Sequence, residues 1–189
     1  MRRRLTLNWI TLLLGIPSLA YGEEVPMPVL GHVATASHTS VEVVEFDRQV
    51  SAQGVSRDAF VLQVAPALRA FTERTGHEAG GLLCQDDRGR WGMVLQSAQA
   101  QVFMPITTAC PAGFGRTDQS VSVHTHPQRP FIVTNAVDAA FLGSRHRSGE
   151  SLKTEGQFFS VEDFQAPGYV ITPLRTLFQA GPRNVRAVL

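Results

Sequence analysis

The chain has 189 residues, with 17 lysines and arginines against 16 aspartates and glutamates. This length suits one domain with one hydrophobic core, and a hydrophobic content of 43% without internal repeats is that of a globular protein. Because no basic block follows the first few residues, nucleic acid and anionic membrane surfaces are excluded as expected partners.

The first 22 residues, MRRRLTLNWITLLLGIPSLAYG, have the layout of a secretory signal peptide. Three arginines precede an apolar run, and small residues precede a cleavage point that we place after Gly22. The apolar run is interrupted by Asn8 and Pro17 and is short for a membrane span, although a retained anchor is the alternative. Cleavage leaves 14 basic and 16 acidic residues, net charge −2, in a periplasmic or secreted protein without stable membrane insertion.

The chain has two cysteines, Cys84 and Cys110. An exported chain with an even cysteine count is a disulfide candidate, so we predict that these two residues form a bridge. Two buried free thiols are the alternative. A zinc site built on the cysteines is disfavoured, because neither residue belongs to a CxxC pair.

The first half of the chain predicts a helix followed by strands. The segment 23–57 is polar and mixed, with a possible strand or helix edge at 41–46. Residues 58–75 have apolar side chains at helical spacing, so they predict a helix that Pro66 bends or divides. Short apolar segments then predict the strands of one meander, at 80–84, 90–97 and 100–106.

The second half of the chain predicts short elements around a long polar segment. In chain order they are an alternating strand SVSVHTH that stops at Pro127, a polar segment 128–157 containing the helical stretch NAVDAAFLGS, a helical turn FFSVEDF, and a closing hairpin of GYVITP and TLFQAG. A helix followed by several strands indicates an α+β fold, with a mixed and mostly antiparallel sheet flanked by helices.

His124 and His126 are the first candidate metal ligands. On an extended strand the two imidazoles point to the same face, because side chains alternate with period two, and they can therefore chelate one ion. A polar strand end without a metal is the alternative, since an HxH pair alone is weak evidence. A catalytic zinc site needs about three protein ligands, an open position for water and a general base nearby.

Other segments supply the missing groups. Glu78 lies in GHEAGGLL, and Ser160 and Asp163 lie in FSVED, so that the chain has the order E…HxHP…SxxD. In these motifs the chain resembles the JAB/MPN metallopeptidases, the JAMM motif group, over roughly residues 58–180. The resemblance implies a single JAB/MPN-like domain at 58–189, of the cytidine-deaminase-like fold.

The resemblance also implies a role for each residue. His124, His126 and Asp163 would bind Zn²⁺, with water in the fourth position. Glu78 would be the general base, and Ser160 would hydrogen-bond the oxyanion of the tetrahedral intermediate. Structural alternatives remain for three of them: Glu78 as a solvated acid at a helix end, and Ser160 as an N-cap with Asp163 as its capping-box partner.

The spacing of the third ligand departs from the family pattern. The family places its serine shortly after the proline, whereas 32 residues separate Pro127 from Ser160. Asn135 and Asp138 stand at the usual distance, which makes Asp138 a rival third ligand. We prefer Asp163, because its serine is intact and the strand GYVITP follows it as in the family. Residues 128–157 are then an insertion near the mouth of the site.

The resemblance implies an exported zinc peptidase that hydrolyses a peptide or isopeptide bond. The compartment indicates peptidoglycan cross-links or an envelope protein as its substrate. The alternative from another class is a non-catalytic accessory or scaffold protein of a secretion, conjugation or envelope assembly, built on the same fold. A missing ligand would favour the scaffold, and no group of the motif is missing from the sequence.

Overall fold

The structure is a computed structural model that describes residues 26–127, 129–154 and 156–189. The predicted signal peptide at 1–22 lies outside these residues. The elements are, in chain order, β1 Val29–Ala34, β2 Ser40–Val50, α1 Arg57–Thr75, β3 Gly80–Leu82, β4 Cys84–Gln85, β5 Trp91–Ser97, β6 Gly115–Arg116, β7 Ser122–Thr125, β8 Phe131–Val133, α2 Ala136–Leu142, β9 Ser151–Lys153, a 3₁₀ helix Glu162–Gln165, β10 Gly168–Ile171, β11 Thr176–Gln179 and β12 Val185–Val188. Within the described ranges, neither helix has the length and apolar character needed to cross a bilayer.

One mixed sheet organises the fold, with the main strand order β1-β2-β5-β3-β7-β10-β11-β12 and with β4 and β6 paired beside β5. Its strands pair antiparallel, apart from β7 and β10, which are parallel neighbours. The predicted α+β class with a mixed, mostly antiparallel sheet is therefore confirmed. The segment 23–57 contributes β1 and β2 to the same sheet, because β2 pairs along β5.

Helix α1 packs on one face of this sheet. The side chain of Ser56 caps its first turn by accepting from the Ala59 N–H at 3.2 Å, and Gly76 ends it in a left-handed conformation, φ 76°. Pro66 does not divide it, and the helix runs unbroken from Arg57 to Thr75. The five apolar positions that predicted the helix are at most 3% exposed: Phe60, Val61, Val64, Leu68 and Phe71.

The structure corrects one predicted strand and adds others. The segment 100–106 is an irregular loop: the Ala100 carbonyl accepts from the Glu78 N–H and the Gln101 N–H donates to the Asp138 side chain, and the segment joins no strand of the sheet. The segment 128–157 contains the predicted helix as α2, and also the ribbon β8–β9, whose three-residue strands are too short for a clear pattern. The predicted hairpin forms as β10 and β11, and β12 extends it.

Cys84 and Cys110 form the predicted disulfide, with their Cα atoms 5.8 Å apart. The bridge joins β4 to the end of the loop that follows β5. That loop contacts Gln96, whose Oε1 accepts from both the backbone N–H and the hydroxyl of Thr107 at 3.0 and 2.8 Å. Gln96 alternates along β5 with core residues that pack towards α1, so the loop lies over the opposite face of the sheet.

Candidate metal centre

Strand β7 divides its side chains between the two faces of the sheet. Val123 and Thr125 are buried towards α1, where the Thr125 hydroxyl lies 2.6 Å from that of Thr72. His124 therefore points to the opposite face, and His126, directly after the strand, points the same way. The two Nε2 atoms are 3.2 Å apart. The predicted common orientation of the imidazoles is present.

Neighbouring strands fix the position of both histidines. The His126 N–H donates to the Ile171 carbonyl of β10 at 3.2 Å, and on the other side Gly80 of β3 stands opposite His124. A Cβ at Gly80 would lie 2.9 Å from the Cβ of His124 and would also collide with the Val123 carbonyl. Glycine at position 80 is thus required for this close strand pairing, which gives the GG of GHEAGGLL a physical reason.

Asp163, from the 3₁₀ helix, completes a group of three side chains. Its Oδ1 lies 3.0 Å from His124 Nε2 and its Oδ2 lies 3.2 Å from His126 Nε2. The three side chains are between 7% and 12% exposed, so they are shielded from bulk water yet reachable. Two segments far apart in the sequence therefore meet at one point.

The three donor atoms suit a metal ion. Two imidazole nitrogens and one carboxylate oxygen are ligands that divalent transition metals favour. Ligand atoms at the usual bond lengths of a tetrahedral ion lie roughly 3.3 Å from one another, close to the separations of 3.0–3.2 Å seen here. The group of His124, His126 and Asp163 could therefore hold a metal ion.

The electrostatics of the group favour the protonation states that a metal needs. Burial by itself would raise the pKa of Asp163, but the hydrogen bonds and charges of His124 and His126 together hold it well below its usual range. Burial lowers the pKa of His124, and the hydrogen bond to Asp163 only partly opposes this. Both shifts lie in the direction that metal ligation requires, towards a neutral imidazole at His124 and an ionised carboxylate at Asp163.

Glu78 lies between α1 and β3 and is 5% exposed, so it is not a solvated acid at a helix end. Burial raises the pKa of Glu78 to about 8; the charge of His126 lowers it, and those of Asp163 and Asp138 raise it. The Glu78 carboxyl is therefore subject to the charges of His126 and Asp163. These two residues and His124 are called the metal group below. The backbone is fixed on both sides, by the Ala100 carbonyl at 2.7 Å and the Ser97 hydroxyl at 2.8 Å.

Ser160 begins the turn that carries Asp163. Its backbone N–H and its hydroxyl both donate to Asp163 Oδ2, at 2.7 and 3.0 Å. Only half of the capping box considered from the sequence is present: Asp163 accepts the Ser160 N–H, but the Ser160 hydroxyl donates to the carboxylate instead of accepting a backbone N–H, and the residue that caps the 3₁₀ helix is Val161. The same carboxylate faces both histidines, so the structural contact and the metal group coexist in one side chain.

Asp138, the rival ligand, lies outside the group of three. It is fully buried and forms a capping box with Asn135 at the start of α2. Its Oδ1 accepts from the Gln101 N–H at 2.6 Å. Of the two candidate aspartates, the structure brings Asp163 to the histidines.

A cleft of about 380 Å³ begins at Pro127, the residue after His126, and was not expected from the sequence. Its walls are the two segments that leave His126 and approach Ser160. Gly156 allows them to meet, because a Cβ there would collide with the Pro127 carbonyl. The described lining residues are Pro127, Arg129, Pro130, Thr154, Gly156, Gln157 and Phe158.

Comparisons with protein-family profiles, with curated proteins and with solved structures give no match to this chain. The fold class and the candidate metal centre rest on the sequence and geometry of the chain itself.

Proposed function

We propose that the protein is an exported zinc-dependent peptidase of the JAB/MPN (JAMM) type, which hydrolyses a peptide or isopeptide bond in peptidoglycan or in an envelope protein. The observation that carries this proposal is the convergence of His124, His126 and Asp163, with the buried acid Glu78 in their field. Such a combination of a three-ligand group and a buried acid is what a hydrolytic metal site needs.

Zinc is proposed because two imidazoles and one carboxylate, with a position left for water, are typical of catalytic zinc sites. When bound, zinc would supply an acidified water and polarise the substrate carbonyl. His124 and His126 would hold it through their Nε2 atoms, and Asp163 through its carboxylate. The hydrogen bond from the Ser160 backbone N–H to Asp163 would orient that ligand.

Glu78 would take a proton from water and return it to the leaving amine. A general base and acid works best with a pKa near the operating pH, and burial already lifts the pKa of Glu78 to about 8. A bound cation favours the ionised carboxylate and would bring this pKa down towards neutrality. The burial of Glu78 therefore supports a role in proton transfer.

Ser160 would stabilise the oxyanion that forms when the carbonyl is attacked. Its hydroxyl would turn from Asp163 Oδ2 towards the substrate, while its backbone N–H would keep its 2.7 Å contact with Asp163.

The cleft that begins at Pro127 would accept the substrate chain. It begins at Pro127, next to His126, and reaches Phe158, two residues before Ser160. A bond held over the three ligands would therefore extend its flanking residues between these walls. Phe158 and the prolines offer apolar contacts and Arg129 offers a positive charge, which suits a peptide chain that carries a carboxylate.

The proposal is tested with the mature protein beginning at Glu23. Metal analysis after zinc loading should give one zinc per chain, and mass spectrometry should detect cleavage of a muropeptide or of a member of a peptide panel. Glu78→Gln is the matched control, expected to retain zinc and lose activity by about 10²- to 10⁴-fold. Stoichiometric zinc without any cleavage would favour the scaffold alternative, and absence of zinc binding would overturn the metal centre.

A further inference from the structure

We propose that Asp138 is a positioning residue for Glu78, acting through the segment 97–101. This inference rests on the proposed role of Glu78 as the general base. It assigns a function to the acid that the sequence made a rival metal ligand, and it connects α2 to the metal centre.

The segment 97–101 holds the backbone of Glu78 on both sides. The Glu78 N–H donates to the Ala100 carbonyl at 2.7 Å, and the Glu78 carbonyl accepts from the Ser97 hydroxyl at 2.8 Å. A displacement of this segment would therefore displace the backbone that carries the Glu78 carboxyl.

The start of α2 holds the segment 97–101 in turn. The Asn135 amide donates to the Gln99 carbonyl at 2.9 Å. The Gln101 backbone N–H donates to Asp138 Oδ1 at 2.6 Å, and the Gln101 side-chain amide donates to Asp138 Oδ2 at 3.0 Å. Three consecutive residues are thus bound, one to Asn135, one to Glu78 and one to Asp138.

Gln99 adopts a conformation that needs such support. Its φ of 59° lies in the left-handed region, which residues other than glycine adopt at a cost. The Ser97 hydroxyl accepts from the Gln99 N–H at 3.2 Å, and Asn135 binds the Gln99 carbonyl, so both sides of the strained residue are fixed. Strained backbone of this kind is kept where the surroundings over-determine it, commonly beside functional groups.

The burial of Asp138 has no explanation in α2 alone. A capping box needs the acid only to accept one backbone N–H, and an exposed carboxylate can do this. Asp138 is fully buried, and within the described ranges it forms no ion pair with a lysine or arginine. Burial of a carboxylate is costly unless hydrogen bonds offset it. Three bonds supply that compensation, one from the Asn135 N–H at 2.8 Å and two from Gln101, and the two from Gln101 join the acid to the segment that holds Glu78.

The test compares three variants of the mature zinc-loaded protein. Asp138→Ala removes every bond from the acid to Gln101. Asn135→Ser keeps a side-chain oxygen to cap α2 but removes the donor to the Gln99 carbonyl. Ala139→Gly weakens α2 without touching the segment 97–101, and so controls for simple loss of helix stability. The readouts are kcat and KM on a cleaved peptide, zinc stoichiometry, and hydrogen exchange of the Glu78 amide.

We expect Asp138→Ala to lower kcat on the order of a hundredfold, the effect of a catalytic group displaced by about 1 Å, with zinc stoichiometry and KM unchanged. The Glu78 amide should exchange faster in the same variant. Asn135→Ser should shift both readouts in the same direction by less, and Ala139→Gly should leave both near wild type. If Asp138→Ala does not fold, the test is made by comparing kcat and Glu78 amide exchange between Asn135→Ser and Ala139→Gly.

The inference is overturned if Asp138→Ala retains wild-type kcat and Glu78 amide protection, or if Ala139→Gly reproduces its losses. A loss of zinc in Asp138→Ala would also overturn it, since Asp138 would then act on the metal. If the wild-type protein cleaves no substrate, the proposed function fails by itself. Hydrogen exchange at Glu78 would still report whether Asp138 holds its backbone.

Discussion

Two turns in the connection between β7 and β10, at 135–138 and 160–163, have the same local structure, but their aspartates contact different partners. In each, an aspartate Oδ2 accepts the backbone N–H of the residue three positions earlier, at 2.8 Å from Asn135 to Asp138 and at 2.7 Å from Ser160 to Asp163. The remaining contacts of the two carboxylates differ. Asp163 faces two imidazoles, that of His124 through Oδ1 at 3.0 Å and that of His126 through Oδ2 at 3.2 Å. Asp138 faces Gln101, whose backbone N–H donates to Oδ1 at 2.6 Å and whose side-chain amide donates to Oδ2 at 3.0 Å.

The comparison teaches that a short polar motif fixes a local shape and leaves its use open. A carboxylate that binds its own turn can still make further contacts, because its two oxygens offer about four acceptor positions. What the fold places opposite those oxygens decides whether the side chain meets the two histidines or a loop. The most direct test of this difference is to replace each aspartate separately.

The largest difference is expected between Asp163→Ala and Asp138→Ala in metal binding. Loss of a group that only orients a ligand already weakens metal affinity by about 10- to 100-fold, so loss of the ligand itself should exceed a hundredfold. Asp138→Ala should keep zinc affinity near wild type. Isothermal titration of both metal-free variants with zinc measures this. Equal affinities in the two variants would remove the distinction between the turns.

Ser160→Ala should have the next largest effect, on catalysis rather than on metal binding. Removal of one oxyanion donor lowers kcat by about 10²- to 10³-fold. Zinc should stay bound, because the Ser160 backbone N–H still orients Asp163. The check is steady-state kinetics beside metal analysis. A variant that loses zinc as well would assign the hydroxyl to the support of Asp163 alone.

The charges of both aspartates raise the pKa of Glu78. The titration of Glu78 should therefore make the stability of the protein depend on pH. Its pKa of about 8 in the folded protein lies above the ordinary value of 4.5, so the folded state binds more protons between these values. This contribution is fully present below pH 4.5 and is lost as the pH rises through 8. Asp163 acts in the opposite sense and in a lower window: its contribution is present above its ordinary pKa of 3.8 and is lost as the pH falls below it.

We therefore expect the free energy of unfolding of the metal-free protein, relative to Glu78→Gln, to fall by a few kcal/mol between about pH 5 and pH 8. Urea unfolding with a chelator, repeated across this range for both proteins, is the measurement. Since His124 is present in both proteins, its own titration largely cancels. Parallel pH profiles would show that burial does not raise the pKa of Glu78.

The smallest effect on the site is expected from the disulfide. Replacing Cys84 and Cys110 by serine opens a link across 26 residues and should cost about 3 kcal/mol of stability. The Asp163 turn lies outside that link, so zinc affinity should be unchanged, while the Gln101 amide should exchange faster. Urea unfolding, zinc titration and hydrogen exchange test this, with reductant on the double variant as the control. Weaker zinc binding would connect the link to the metal group.

Much of the fold could be predicted from sequence patterns. Helix α1 shows five apolar positions at helical spacing, and β7 shows the alternation that sets its histidines on one face. The segment 100–106 was predicted wrongly as a strand, because its apolar composition hides backbone groups that pair with Glu78 and Asp138. The β8–β9 ribbon escaped notice because three residues are too few to show a period.

The candidate site was predictable in composition and only partly in arrangement. The histidine pair followed from strand alternation, and the SxxD and NxxD turns were both visible as polar motifs. Sequence could not choose between Asp163 and Asp138 on local grounds, since both aspartates make the same contact three residues back. The cleft and the support of Glu78 depend on contacts between distant segments, and no pattern along the chain encodes those contacts.

The disulfide between Cys84 and Cys110 makes the structure depend on the redox state of the compartment. The loop that it closes includes Gln101, the residue through which Asp138 reaches the segment that holds Glu78. Thiols in a reducing cytoplasm stay unlinked, whereas an oxidising compartment joins them. If the chain is exported as proposed, its newly made form would leave this loop untied, and the bridge would form only after translocation. Oxidation would then close the loop that includes Gln101.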